Sequence, residues 1–470
     1  MKKTKIVATI SDMRCSADFI SELYDCGMNV VRINSAHQSI EGSLKIVEAV
    51  RSVSGEIALM MDTKGPEIRT GFLDSPVSVS RGQTIVLSGD ASVGSIPVTY
   101  RNIASDVPAG NRILIDDGAV ALSVVSRKGD SLECMVLNSG EIKGRKSINV
   151  PNVHIDLPSL SERDLLYIDF AIDNGLDFIA HSFVRSRRDV EAVQEILDRR
   201  GSPIKVIAKI ENSSGVDNID EILDIAYGVM VARGDLAIEL PFEMVPGIQK
   251  MLVNKCLEHR KPVIIATQML HSMIEEPRPT RAEVNDVATA IYDQADAMML
   301  SGETAVGEYP IEAVRAMTAI ASQVEMNKEP IHELPAVTIN NEISSFLIRA
   351  AVEAAVELDV KAIIADTTSG RTIRSLAAYR GNRIIYAQCY SMETVRHLAL
   401  SYGVKARYME PGNVTHEFVG NALSQLVAMD KLQGEHRVVV VAGNFGRSKG
   451  VSFVEIGTVA NLIEASGNPH

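Results

Sequence analysis

The chain has no pair of cysteines at metal-ligand spacing. Cys15, Cys26, Cys134, Cys256 and Cys389 are odd in number, lie far apart and form no CxxC, so neither a disulfide framework nor a cysteine-bound zinc is expected, and a reducing cytosol fits. No apolar run approaches the ~18 residues a membrane span requires. Met1-Lys-Lys-Thr-Lys5 runs straight into a strand pattern, without the apolar core and cleavage site of a signal peptide. A soluble, cytoplasmic protein is expected. Positive charge is in deficit: 47 Lys and Arg stand against 60 Asp and Glu, a net charge of −13. Such a surface repels nucleic acid and anionic membranes, so any phosphorylated ligand depends on local basic clusters. A disordered composition is also lacking, since 46% hydrophobic and 23% charged residues are ordinary for a globular protein.

What is present is most telling at Val206-Ile-Ala-Lys-Ile-Glu-Asn212. Lys209 and Glu211 are two apart in a strand-like run, so their side chains leave on one face, a few ångströms from each other. A buried salt bridge alone would explain the pair. Shortly after, Met230-Val-Ala-Arg-Gly-Asp-Leu236 ends another apolar run with Gly234 and Asp235. Two acids and a lysine at strand ends suit Mg²⁺ beside a phosphorylated ligand, because Mg²⁺ takes few protein carboxylates and keeps positions for phosphate oxygens.

At 470 residues the chain exceeds one core and predicts several domains. Short apolar runs recur with helical patterns between them: Lys5–Ile10, Met28–Asn34, Ile57–Thr63, Asp177–Phe183, Lys205–Glu211, Tyr227–Arg233, Pro262–Thr267 and Asp296–Gly302. Runs without polar alternation suit strands buried on both faces, and alternation with helices implies parallel pairing. Eight such units predict an α/β fold, a (β/α)₈ TIM barrel, with the active site at the C-terminal ends of the strands. Between Arg69 and about Asp156 the pattern turns to Gly, Ser and Val alternation with no convincing helix, which predicts an inserted small β-barrel or sandwich. Inserted after the third strand, it should form a lid over the mouth. The expected division is 1–69 and 156–330 for the barrel, 70–155 for the lid and 331–470 for an open α/β domain. In that last domain a helix is expected near Ser344–Leu358, with strands at Ala362–Ala365, Ile384–Ala387, Ala406–Met409 and Val438–Ala442.

Other strand ends supply Arg32, Asn34, Asp62, Thr63, Ser182, Thr267 and Ser301. Arginine's rigid fork of donors suits a transferring phosphoryl group, and Arg32 is the candidate. Asn34, Asp62 and the Thr63 carbonyl are hard oxygens that suit a monovalent cation. In the C-terminal domain Thr367, Thr368, Ser369, Gly370, Arg371 and Thr372 fall between a strand and a helix. Hydroxyls and free N–H groups at a helix start suit phosphate, with Arg371 and Arg374 beside them; a plain helix cap is the alternative.

With Asp62-Thr-Lys-Gly-Pro-Glu-Ile-Arg69, Ile207-Ala-Lys-Ile-Glu-Asn212, Val229-Met-Val-Ala-Arg-Gly-Asp-Leu236, Ile265-Ala-Thr-Gln-Met-Leu270, Pro277-Arg-Pro-Thr-Arg-Ala-Glu283 and Met299-Leu-Ser-Gly-Glu303, the chain resembles the pyruvate kinases from end to end. The resemblance implies a barrel with a β-domain lid, a C-terminal regulatory domain and a homotetramer. It implies phosphoryl transfer from phosphoenolpyruvate to ADP, giving pyruvate and ATP at the last step of glycolysis, with Mg²⁺ and K⁺. It makes Lys209 the stabiliser of charge in flight, and Glu211 and Asp235 the Mg²⁺ ligands. Thr267 with the amides of Gly234 and Asp235 would hold the substrate carboxylate. Arg32 and Arg69 would bind phosphate, and Asn34, Ser35, Ala36, His37 and Lys146 would line the nucleotide side. Asn34, Asp62 and Thr63 would hold K⁺, Ser301 and Thr267 would relay a proton, and Thr367 to Thr372 would take a phosphorylated effector.

Departures are as specific. Ala8-Thr-Ile-Ser-Asp-Met13 stands where Thr-Ile-Gly-Pro is usual, and Asn34-Ser-Ala-His37 where Asn-Phe-Ser-His is usual. Ala36 thus lacks a hydroxyl that helps hold K⁺, while Ser35 points to the opposite side of an extended chain. Glu67 keeps the acid associated with K⁺ dependence, so dependence with weakened binding is expected. Arg163 and Val306 replace lysines, and Arg447 and Lys449 are further candidates to grip a phosphate. Two alternatives remain: from the same chemistry, a Mg²⁺-dependent aldolase or lyase of pyruvate enolates, which needs no Asp62 to Arg69 motif nor a lid there, and from a different class, a catalytically silent phosphosugar sensor.

Overall fold

The computed structural model describes residues 2–90, 96–151, 153, 155, 157–328, 335, 337, 339, 341–410, 415–443 and 450–467. Eight parallel strands close into a barrel in the order Lys5–Thr9, Val30–Asn34, Ala58–Asp62, Phe178–His181, Lys205–Ile210, Gly228–Ala232, Val263–Ala266 and Ala297–Leu300, the last pairing with the first. Each lies within one of the eight apolar runs. The strands are buried nearly throughout because helices cover the outer face and packed side chains fill the interior, including Met60, Phe178 and Met230. Helix starts follow local chemistry. Ser39 caps Ile40–Val53, Ser161 and Asp164 form a capping box on Glu162–Asp173, and Thr280 with Glu283 forms another on Arg281–Tyr292.

The insertion after the third strand is a seven-stranded sheet beginning at Ile68–Arg69 and ending at Ile96–Pro97. Those two edges meet through a bridge between Thr70 and Val98 and through Gly71 N–H donating to the Pro97 carbonyl at 2.7 Å, so the sheet closes on itself. A two-stranded companion, Val77–Val79 with Gly140–Ile142, flanks it. Against expectation it contains a short helix, Ile103–Asp106, whose Ile103 and Ala104 pack in the inserted domain's own core.

The C-terminal domain is a five-stranded sheet in the order Val404–Tyr408, Ile384–Cys389, Ala362–Thr367, Arg437–Ala442, Phe453–Thr458. The first four are parallel, and the last runs antiparallel on an edge. That edge strand was not expected. Separate apolar clusters cover the two faces of the sheet. The domain docks on the barrel at strand starts, the face opposite the mouth: Arg380 pairs with Asp296 at 2.6 Å and Arg396 with Asp177 at 2.6 Å. No described helix is long and apolar enough to cross a membrane. The expected junctions at Asp156 and Pro330 lie outside the described residues.

Candidate active site at the barrel mouth

The second and third strands stand in register with Asn34 opposite Asp62, which brings Arg32 and Asp62 together across thirty residues of sequence. Arg32 grips Asp62 with Nε at 2.9 Å and Nη2 at 2.7 Å, and its Nη1 donates to Thr9 Oγ1 at 3.0 Å. Lys209 Nζ lies 3.2 Å from Asp62, 3.0 Å from Glu211 and 2.8 Å from Ser182 Oγ. Ser182 is fixed in turn, donating to the Thr63 carbonyl at 2.7 Å. Burial alone would lower the Lys209 pKa, but Glu211 and Asp62 outweigh it and hold the ammonium above its ordinary range. Burial likewise works against an ionised Asp62, and Arg32 and Lys209 outweigh that too, keeping the carboxyl below its usual range.

Asp235 behaves in the opposite way. Burial, and then the neighbouring Glu211 charge, push its carboxyl up to about 7. Asp235 and Glu211 thus converge as two carboxylates, and the Glu211 charge disfavours ionisation of Asp235. Glu211 is further oriented by Phe183 N–H at 2.6 Å. Next to Lys209, His181 pairs its Nδ1 with Thr63 Oγ1 at 3.0 Å, and burial pushes the imidazole down to about 4, so the ring is neutral near pH 7.

Three residues of this face take left-handed backbone. Thr267, a β-branched residue, adopts φ +69, and Gln268 and Phe183 also lie in the left-handed region. Thr267 is held there from two sides: its Oγ1 accepts Gly234 N–H at 2.9 Å, and its carbonyl accepts Arg233 Nη2 at 2.8 Å. Arg233 is braced by both oxygens of Asp286 at 2.7 and 2.8 Å. Asp286 sits in the helix that the Thr280–Glu283 box starts, which gives the Pro277 to Glu283 motif a local purpose. Sequence reasoning did not single out Arg233 or Asp286; the Arg-Gly-Asp at a strand end was the available signal. Ser301 N–H donates to the buried Glu303 at 2.7 Å, and Glu303 also accepts Leu270 N–H at 3.1 Å. Gly65 needs to be glycine: at φ +73, a Cβ there would come within 2.9 Å of Phe183 and 3.0 Å of Ser182.

The nucleotide-side candidates form the rim. Asn34 Oδ1 accepts Ala36 N–H at 3.1 Å, and Ala36 and His37 are exposed. Ser35 is fully buried with its Oγ unpartnered, while its carbonyl accepts Arg163 Nη2 at 2.7 Å. Arg163 also binds the Gln38 carbonyl at 2.9 Å and lies 5.0 Å over the Tyr167 ring, so it pins the 35–38 loop. Arg69 is engaged by Glu67 at 2.6 and 2.9 Å, and Lys146 by Asp116 at 3.0 Å. Val306 is exposed. The lid reaches the mouth: Asn149 Nδ2 donates to Glu239 Oε1 at 3.1 Å, and the Asp117 charge acts on Asp235.

In the C-terminal domain Gly370, at φ +76, precedes helix Arg371–Ala378, and its N–H donates to Thr367 Oγ1 at 2.9 Å. Thr368, Ser369 and Arg371 are exposed, and Thr372 is half-buried. Arg374 lies beside the loop: its Nη1 donates to the Ser369 carbonyl at 3.3 Å, while its guanidinium also lies 4.7 Å over the Tyr227 ring of the barrel. Arg447 and Lys449 lie outside the described residues.

The family model described as pyruvate kinase, barrel domain, matches residues 1–314, and that described as pyruvate kinase, alpha/beta domain, matches residues 346–456. A pyruvate kinase of Borreliella burgdorferi is 44% identical over 98% of this chain and 98% of its own length. One from Bacillus licheniformis is 40% identical over 98% of this chain and 81% of its own. Among solved structures, a pyruvate kinase from Cryptosporidium parvum superposes with a TM-score of 0.92 at 34% identity, covering 97% of this chain and 96% of that one.

Proposed function

The chain belongs to the pyruvate kinase family, and from that premise we propose how its residues move the phosphoryl group of phosphoenolpyruvate to ADP. It is a phosphotransferase: the bond from phosphorus to the enol oxygen breaks, a bond to a terminal oxygen of ADP forms, and the enolate takes up a proton to become pyruvate. The carrying observation is Lys209, a buried ammonium held between Asp62 and Glu211 with Arg32 on the far side of Asp62. Phosphoryl transfer asks mainly for positioning and neutralisation, and these two cations supply both without a covalent intermediate. Lys209 faces the charge growing on the bridging oxygen, and Arg32 binds phosphoryl oxygens, each exchanging carboxylate contacts for ligand oxygens. Thr267 and the amides of Gly234 and Asp235 receive the substrate carboxylate, so that it meets fixed dipoles instead of water. Ser301 and Thr267 lead a proton to the enolate.

Glu211 and Asp235 fit Mg²⁺, since two carboxylates converge at neighbouring strand ends and burial with the Glu211 charge leaves Asp235 short of positive charge. Held by these two acids, the ion would supply positive charge against the phosphoryl group and the enolate. K⁺ is assigned to Asn34, Asp62 and the Thr63 carbonyl. Each of these already accepts hydrogen bonds, and Ala36 adds no hydroxyl, which supports weak binding. The nucleotide lies along Asn34 to His37, Arg69 and Lys146 under the lid. The remaining proposals are a phosphorylated effector at Thr367 to Thr372, a homotetramer, a cytosolic location and domain divisions at 69/70, 155/156 and 330/331.

The test follows pyruvate formed from phosphoenolpyruvate with and without ADP in the presence of Mg²⁺. Pyruvate formation that requires ADP is expected. Formation without ADP would indicate a lyase, and none at all a silent sensor.

A further inference from the structure

On the face opposite the mouth, the turn after helix Val245–Glu258 and helix Arg371–Ala378 of the C-terminal domain flank a narrow, solvent-open cleft. Arg260 and Lys261 line it from the barrel, and Arg374, Arg380 and Ser401 from the C-terminal domain, with Asp296 at its base. The one lining carboxylate is already committed. Asp296 accepts Arg380 Nη2 at 2.6 Å, Val263 N–H at 3.1 Å and Tyr402 N–H at 2.9 Å.

The other three cations form no ion pair among the described residues. Lys261 Nζ donates to the Ala226 carbonyl at 2.7 Å, and Arg374 Nη1 reaches the Tyr227 hydroxyl and the Ser369 carbonyl, each at 3.3 Å. Arg260 Nε and Ser401 Oγ are buried without a hydrogen-bond partner, and Ser401 is 1% exposed. Burial, followed by repulsion from Arg374 and Arg260, pushes Lys261 down to about 8. A protein of net charge −13 here concentrates three unneutralised cations in a cleft, and buried charge and buried polar atoms both call for partners. Planar guanidinium forks and an ammonium beside a hydroxyl form the donor set of an oxyanion site.

We propose that this cleft between the barrel and the C-terminal domain binds a phosphoryl dianion, free or carried on a small metabolite, through Arg260, Lys261, Arg374 and Ser401. Because the donors come from both domains, the anion clamps one to the other, and stability rises with its concentration. The site adjoins the Thr367 to Thr372 loop, whose Ser369 carbonyl accepts Arg374 Nη1, but uses none of that loop's hydroxyls and does not depend on the catalytic reading.

The experiment titrates the full chain with inorganic phosphate at constant ionic strength, by calorimetry and by thermal melting. Parallel titrations use Arg260→Asn, Arg374→Gln, a Thr368→Ala/Ser369→Ala loop variant and Lys209→Met. Asparagine tolerates the left-handed backbone that Arg260 adopts at φ +57. Saturable binding is expected, with affinity falling about tenfold or more in Arg260→Asn and Arg374→Gln, the scale of a lost charge-assisted hydrogen bond. The loop and Lys209 variants should retain it. Titrations of Arg260→Asn and Arg374→Gln that overlay the parent overturn the proposal, as does a loss confined to the loop or Lys209 variants. A hexose monophosphate that competes at lower concentration than phosphate identifies the ligand as a phosphorylated metabolite, and equal competition identifies it as free phosphate.

Discussion

Lys209 and Asp235 stand on either side of Glu211 and carry opposite electrostatic burdens. Asp235, with a pKa near 7 against 3.8 when unfolded, keeps its proton in the folded metal-free protein across that interval, while the unfolded chain has lost it. The native state then binds more protons, so metal-free stability falls as pH rises through that interval. Mg²⁺ must displace that proton to bind both acids. Calorimetry in buffers of different ionisation enthalpy should therefore record proton release on Mg²⁺ binding at pH 6 and almost none at pH 9. Asp235→Asn should abolish the release and raise the Mg²⁺ requirement sharply; release unchanged in the variant would place the metal elsewhere. At the cation rim, Ala36→Ser should lower the half-activating K⁺ concentration several-fold, on the scale of one regained ligand worth about 1 kcal/mol. Full activity of the parent without K⁺ or Na⁺ would remove the inference from Glu67. The Lys209–Glu211 contact could be read from a two-residue spacing in one strand. The Arg32–Asp62 pair could not, because it exists only through the register of two strands. Thr63, Ser182 and His181 became a linked support for Lys209 only in three dimensions.

At the scale of elements, legibility followed burial. Barrel strands buried on both faces write continuous apolar runs, so all eight could be located. Phe453–Thr458 is a half-exposed edge strand containing Glu455 and Gly457, and carries no such run. Closure of the inserted sheet rests on single contacts between Thr70 or Gly71 and the Pro97–Val98 edge, which no periodicity encodes. The loop between Thr367 and the following helix had two readings, cap or phosphate cradle. The helix has no side-chain cap: Thr367 Oγ1 accepts the N–H of Gly370, the N-cap residue itself, and Thr368 and Ser369 are exposed. Replacing Thr368, Ser369 and Thr372 by alanine should abolish activation by whichever phosphorylated compound activates the parent, with unactivated turnover unchanged. An unaltered response to that compound would exclude the loop.

For the whole molecule, the barrel offers two faces with different roles: strained loops and paired charges at the strand ends, and domain docking at the strand starts. Docking relies on Asp296, 3% exposed and bonded to Arg380, Val263 N–H and Tyr402 N–H. Asp296→Ala leaves the Arg380 charge buried and two amides unpaired, so it should cost about 3–5 kcal/mol in denaturant unfolding. A loss under about 1 kcal/mol would mean the interface relaxes around the gap.

The account rests most on Lys209 as the group that stabilises charge during transfer, and one comparison tests it: turnover and phosphoenolpyruvate affinity of Lys209→Met beside the parent, in a coupled pyruvate assay with ADP and saturating Mg²⁺. Removing one preorganised charge should lower turnover by at least ~10²–10³ and leave substrate affinity largely intact. A variant that keeps most of its turnover, or loses only affinity, would contradict the assignment.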